Sequence, residues 1–205
     1  MEVIPRETRK ITYSTEIRAL KKKLRLSDYQ KSIIIGGILG DIHLEPNWSK
    51  TNYKLSINQC VKQKSYVMWK YKIFNDWVLT KPKLKIQNNS FGFRTISHGD
   101  ITELRNIFYQ NGKKTIPNDI GKYLKNPVSL AVWFMDDGNA IIRNRKIYGY
   151  HLNTQSFDGK DNLKLIRAFK EKFGIKWSCE INHGKCRLRI MQKTERDKFA
   201  SLIKA

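Results

Sequence analysis

Acidic residues are scarce: 18 Asp and Glu stand against 40 Lys and Arg, which leaves a formal charge of +22 on 205 residues. Such an imbalance points to a polyanionic partner, because binding phosphates releases condensed counterions and supplies most of the sequence-independent affinity for nucleic acid. Cysteine is scarcer still. Cys60, Cys179 and Cys186 are an odd number with no CxxC pair, which disfavours both a disulfide framework and a structural zinc site; all three are expected as reduced thiols in or near the core. Long apolar runs are missing. No stretch approaches the roughly 18 residues of a membrane-spanning helix, and the opening MEVIPRETRK mixes charges where a secretion segment would be hydrophobic. A soluble intracellular protein with no membrane role is the expectation.

What is present excludes disorder. The chain is 40% hydrophobic and 11% aromatic, more than a highly charged disordered chain carries, and its length lets it bury roughly 70% of its unfolded surface. Lys outnumbers Arg 28 to 12, and Ile and Asn are abundant. All three have A/T-rich codons, a hint of an organellar genome. The basic residues interleave with strand-like alternation instead of gathering on one amphipathic helix, which favours nucleic acid over anionic lipid as the partner.

Residues 1–26 read as a basic arm or short helix carrying Arg18, Lys21, Lys22, Lys23 and Arg25. From Ser27 the pattern predicts a capped, buried helix over SDYQKSIIIGGILGD, ending at Asp41. TNYKLSINQC alternates strictly: Tyr53, Leu55 and Ile57 on one strand face, Asn52, Lys54, Ser56 and Asn58 on the other, wet face. A helix is predicted over 64–78, then strands KLKIQ and SFGFRTI, the first placing Lys83, Lys85 and Gln87 opposite Leu84 and Ile86. Asp100 begins DITE, a capping-box-like start for a helix that buries Ile101, Leu104 and Phe108.

The plan then begins again. SLAVWFMDDG is a second apolar helix ending in an acidic pair and glycine. AIIRNRK and IYGYHLNT read as strands, DNLKLIRAFKEKFG as a helix closed by Gly174, and IKWSCEIN turns through His183-Gly184 into KCRLRIM. Thr194 is the expected cap of a last helix with Phe199, Leu202 and Ile203 inside. Helix, two strands, helix, two strands, helix occurs twice, so the chain is a tandem repeat with halves 27–125 and 126–205.

Each apolar helix ends in an aspartate, Asp41 or Asp137. A helix C-terminus is already partly negative, so a carboxylate there is locally unfavourable. A divalent cation would explain it, since hard cations take carboxylate and carbonyl oxygens together. Gly36, Gly37 and Gly40 would let another backbone come close, and helices packed at about 8–10 Å would bring two acidic ends toward one point. Taken singly, either aspartate could merely close a turn; the recurrence is what favours the metal. Asp136 is expected to point away or to stabilise the turn, offering at most its carbonyl.

On these residues, IIIGGILGD, NGKKTIPND, SLAVWFMDDG and HLNTQSF, the chain resembles the LAGLIDADG homing endonucleases. The likeness covers nearly everything from Ser27 and is strongest for the single-chain, two-motif branch typified by the yeast mitochondrial omega-intron endonuclease. The resemblance implies an α+β fold of pseudo-twofold αββαββα repeats, with the signature helices at the central interface and two saddle-shaped antiparallel sheets in the DNA major groove. It also implies Asp41 and Asp137 as metal ligands, Gly40 and Asp136 as main-chain donors, and Lys114 as the basic residue beside the first cleavage centre. A second active-site lysine, which the resemblance places in a segment following a helix like KFASLIKA, has no match here: either that tail lies outside this chain, or the second centre lacks its basic residue and nicking, weak or lost activity is expected.

The implied reaction is Mg²⁺-dependent hydrolysis of one phosphodiester in each strand of a long asymmetric site, by a monomer in a mitochondrion or plastid, with no covalent nucleophile. His43, His98, His151 and His183 are scattered and are read as strand, turn or DNA contacts. Base reading would fall to Asn52, Lys54, Ser56, Asn58, Lys83, Lys85, Gln87 and Arg94 in the first half and Arg143, Arg145, Arg187 and Arg189 in the second; arginine on guanine and Asn or Gln on adenine are the natural pairs. The alternative is a catalytically inactive RNA-binding descendant, an intron maturase or an organellar ribosome-associated protein, gripping RNA by shape with the same basic sheets.

Overall fold

The computed structural model describes residues 15–204. They fall into two compact units, one of residues up to Gln30 together with Asp41–Asn106, the other of Lys31–Gly40 together with Ile107 onward. The units thus do not follow the repeat boundary, because most of the first apolar helix belongs with the second unit. Residues 1–14 of the expected basic arm lie outside the described residues; the rest forms α1 (Thr15–Lys23), with Ile17 buried.

Helix α2 (Asp28–Leu39) starts on a reciprocal cap. Ser27 Oγ accepts from the Gln30 amide at 3.1 Å, and Gln30 Oε1 accepts from the Ser27 amide at 3.0 Å, so two end donors are satisfied at once. Ile33, Ile34, Ile35, Ile38 and Leu39 are buried. The helix stops at Leu39, two residues short of the sequence expectation, with Gly40 and Asp41 in the turn.

The first unit holds a four-stranded antiparallel sheet, order β1-β2-β4-β3: β1 (His43–Pro46), β2 (Tyr53–Cys60), β3 (Lys83–Lys85) and β4 (Ser90–Arg94). Strand β1 was not legible in the sequence, being four residues with a proline at the end. Helix α3 (Lys64–Ile73) gives way to a 3-10 turn over Asn75–Trp77, so it is shorter than the predicted 64–78. Asn75 and Asp76 are poor helix formers, and the Trp77 carbonyl is spent on Ile96. Helix α4 (Gly99–Phe108) buries Ile101, Leu104 and Phe108 as expected. Asp100 lies inside its first turn rather than capping it, and its Oδ2 accepts from the Leu26 amide at 2.9 Å.

The second unit repeats the plan. A short hairpin, β5 (Tyr109–Gln110) and β6 (Lys113–Lys114), precedes α5 (Pro127–Asp137), which has Asn126 as cap and proline in its first turn. The second sheet has order β7-β8-β10-β9, the topology of the first. Its strands are β7 (Gly138–Arg143), β8 (Lys146–Leu152), β9 (Ser178–Asn182) and β10 (Lys185–Ile190). Between them α6 (Gly159–Phe173) is capped by Asp158 and closed by Gly174 in the left-handed conformation, where glycine carries no Cβ penalty. Helix α7 (Lys193–Ile203) has Gln192, not Thr194, at its N-cap.

Two cysteine expectations fail. Cys179 and Cys186 are joined as a disulfide within the β9–β10 hairpin, with a Cα–Cα separation of 5.5 Å, and Cys60 is exposed at the end of β2. The sequence separation gave no CxxC signal, but the tight His183-Gly184 turn folds the two strands onto each other. Among the described residues no helix is long and apolar enough to cross a membrane.

Candidate catalytic and nucleic-acid-binding site

In the second unit the end of α2 is pressed against α5. A Cβ on Gly36 would overlap the Ser129 carbonyl, and one on Gly40 would lie 2.5 Å from Asp136 Cβ. Only a bare backbone fits at these two positions. Of the two expectations for Asp136, pointing away or stabilising the turn, the packing favours the second: its side chain lies against Gly40, where the glycine leaves the room.

Lys114 arrives at the same place. Its Nζ donates to the Gly40 carbonyl at 2.5 Å, a favourable partner for a helix end with unpaired, partly negative carbonyls. The β5–β6 hairpin presents it through Asn111 and Gly112, both at positive φ (48° and 78°), as a tight hairpin requires. Its far side is pinned: Ile116 donates to Asp161 Oδ2 at 3.1 Å, and Lys164 Nζ donates to the Ile116 carbonyl at 2.8 Å. Asp137 closes α5, and its carbonyl accepts from the Asn153 amide at 2.9 Å.

In the first unit Asp41 is exposed, and its Oδ2 accepts from Gln59 Nε2 at 3.2 Å. Sequence reasoning missed Gln59. The signal was there: it is the polar member of the inward row Leu55, Ile57, Gln59 on β2. Among the described residues no group of three or more His, Cys, Asp and Glu gathers as a metal cluster. A carboxylate and a main-chain oxygen per helix end would suit a hard divalent cation that takes one or two carboxylates and completes its shell with water and substrate phosphate.

The polar face of the first sheet forms a groove of about 780 Å³ in which Lys21, Lys54, Lys81, Lys83, Lys85 and Arg94 take part, with no acidic lining residue among those described. Burial pushes the Lys21 ammonium below its ordinary value, and it donates to Ser97 Oγ at 3.2 Å. The wet face is nevertheless partly closed by its own bonds. Ser56 is 4% exposed and accepts from Asn58 Nδ2 at 3.1 Å, while Asn58 Oδ1 accepts from Lys85 Nζ at 2.6 Å. Asn52 precedes β2 and accepts from Thr102 Oγ1 at 3.1 Å. Ile86 and Gln87 sit in a 3-10 turn, so the predicted strand alternation stops at Lys85; Leu84, on the three-residue edge strand β3, and Ile86 are both exposed.

On the second sheet Arg143 and Arg145 are exposed at the β7–β8 turn, where Asn144 and Arg145 both have positive φ. Arg187 and Arg189 are not free. Glu180 accepts from Arg187 Nε at 2.6 Å and from Arg189 Nη1 at 2.5 Å, and its Oε2 lies 3.0 Å from His151 Nε2. The Arg187 guanidinium holds the Glu180 carboxyl below its ordinary value. Burial, then Arg187, keeps His151 below its own. His98 is buried edge-on to Trp77, and His183 occupies the β9–β10 turn.

Comparison with known proteins places these features in context. Residues 31–199 match the model of the LAGLIDADG DNA endonuclease family. "Probable intron-encoded endonuclease 1" of Wickerhamomyces canadensis is 29% identical over 182 residues, covering 84% of this chain and 78% of that protein. The solved homing endonuclease I-WcaI bound to its DNA recognition sequence superposes with a TM-score of 0.83 at 27% identity, covering 93% of this chain and 88% of that one. The cytochrome b mRNA maturase bI2 of Debaryomyces hansenii is 26% identical over 154 residues, 70% of this chain and 56% of that protein.

Proposed function

The chain belongs to the LAGLIDADG DNA endonuclease family, and from that premise we propose that it is an intron-encoded homing endonuclease that hydrolyses both strands of a long asymmetric DNA site with a divalent metal, Mg²⁺ in the first instance. The observation that carries the reading is the Lys114 ammonium on the Gly40 carbonyl, at the end of a glycine-bearing helix packed against Asp136. Asp41 and Asp137 are the proposed metal carboxylates, with Gly40 and Asp136 offering carbonyl oxygens. The Gly40 carbonyl keeps a second lone pair when Lys114 uses the first. When bound, the cation acidifies water and stabilises charge on the scissile phosphate.

The remaining work falls to the chain's own groups. Gln59 orients the Asp41 carboxylate. Lys114 offsets phosphate charge and holds the surrounding water. The basic sheet faces bind the duplex, through Lys54, Lys83, Lys85, Arg94, Arg143, Arg145, Arg187 and Arg189, with Asn52, Ser56, Asn58 and Gln87 supporting them from the positions given above. One chain supplies both repeats, so it acts as a monomer. An intron-encoded relative and the abundance of Lys, Ile and Asn, residues with A/T-rich codons, support a mitochondrial or plastid home.

Incubation with Mg²⁺ and duplex carrying the uninterrupted insertion site of its own intron should give discrete cuts. Asp137→Asn should lower cutting by about 10²- to 10³-fold, the loss of one fixed electrostatic group, with binding retained. The maturase relative favours a second reading, an RNA-binding splicing factor. Splicing of the host intron that survives Asp137→Asn, with no cut in DNA, would establish that reading in place of the first.

A further inference from the structure

Glutamate is conspicuous on faces this basic, and one stands on each sheet. On the second, both oxygens of Glu180 are taken by arginines, Oε2 by Arg187 Nε and Nη2 at 2.6 Å and Oε1 by Arg189 Nη1 at 2.5 Å. On the first, Glu45 Oε2 lies 3.3 Å from Arg94 Nε and 3.7 Å from Lys54 Nζ. The register makes Arg94 and Arg189 counterparts, although their glutamates come from opposite edges, Glu45 from β1 and Glu180 from β9. Arg94 pairs with Ser56, which pairs with His43; Arg189 pairs with His151, which pairs with Asn139. His43 and Asn139 each stand two residues beyond a signature aspartate.

The arginines held by Glu180 remain partly exposed, 21% for the Arg187 side chain and 38% for Arg189. Arg187 spends its Nε–Nη2 side on the carboxylate, which fixes its guanidinium in plane. An arginine anchored before binding loses less rotamer freedom when it meets a ligand. Its planar fork can then address O6 and N7 of guanine, whereas an unanchored one settles as readily on a phosphate.

Resting on the DNA-binding reading above, we infer that Glu180 is a positioning residue for base specificity, holding Arg187 and Arg189 to read guanines in the major groove, with Glu45 as a looser counterpart acting on Arg94 and Lys54.

The test is selection from a random duplex library, followed by salt titration of binding to the selected and to a scrambled duplex, for the wild type, Glu180→Gln and Glu180→Asp. Glu180→Gln should lose the preference at one or two guanine-containing base pairs by on the order of 10- to 100-fold. Its affinity for the scrambled duplex should rise, and the slope of log K against log salt should steepen by about one, as a released arginine takes a phosphate. Glu180→Asp keeps the charge but is too short to reach both guanidiniums; it should lose the same preference with the slope unchanged, and it decides the matter should the glutamine variant not fold. Variants that melt earlier yet select the wild-type sequence with wild-type stringency overturn the inference and leave the function intact. A wild type that enriches no sequence overturns the DNA reading, and this inference with it.

Discussion

His151 is the residue whose titration the fold perturbs most legibly. Burial first, then Arg187, holds its pKa below the ordinary 6.5, against the pull of Glu180. The folded protein thus keeps the ring neutral while the unfolded chain takes up a proton, so stability is complete above 6.5 and declines as pH falls through that value toward the lowered one. Glu180 has its own pKa lowered and adds a loss only below its ordinary 4.5. Urea midpoints measured on either side of 6.5 should differ for the wild type and converge in His151→Gln. An unchanged gap would mean another group carries it. At this scale the sequence was half legible. The motifs single out Asp41, Asp137, Gly40 and Lys114 as the proposed site, but the bonds of Gln59, Glu45 and Glu180 are made to residues distant in sequence, and strand alternation says which face a residue takes without saying whom it meets.

Local signals carried the elements well where their chemistry is local. The Ser27–Gln30 cap, the left-handed Gly174 stop and the His183-Gly184 turn all depend on neighbours within a few residues. Strand β1 and the true end of α3 depend on tertiary pairing, and there the pattern misled. The contrast can be measured. Asn126 Oδ1 accepts from the Val128 amide at 3.0 Å, so Asn126→Ala should cost about 1 kcal/mol, the usual value of an N-cap. Gly36→Val should cost more, roughly 1–3 kcal/mol or beyond, because the added carbons meet the rigid Ser129 carbonyl. Chemical denaturation of both variants gives the comparison. Equal losses would show that α2 and α5 can move apart without strain.

For the whole molecule, charge sets the behaviour. A +22 chain should bind any duplex strongly at low salt, with affinity falling steeply as salt rises. Lys83→Ala combined with Lys85→Ala removes two cations of the first-sheet groove. Filter binding should show the slope of log K against log salt reduced by about two if both meet phosphate, and by less if Lys85 stays committed to Asn58. The tandem plan was readable from repetition, and the fold class from the family resemblance that the motifs carry. The division of the chain into compact units was not, since the affiliation of a helix depends on what it packs against.

That affiliation limits how the protein can be rebuilt. Lys31–Gly40 lies with the second unit, and Gly36 and Gly40 are fitted to Ser129 and Asp136. A chimera spliced at the repeat junction would import a foreign first helix and oblige it to nest on a native α5 shaped for another. Donor halves for such grafts should be chosen by the match of those four positions, ahead of any likeness in their DNA-facing strands.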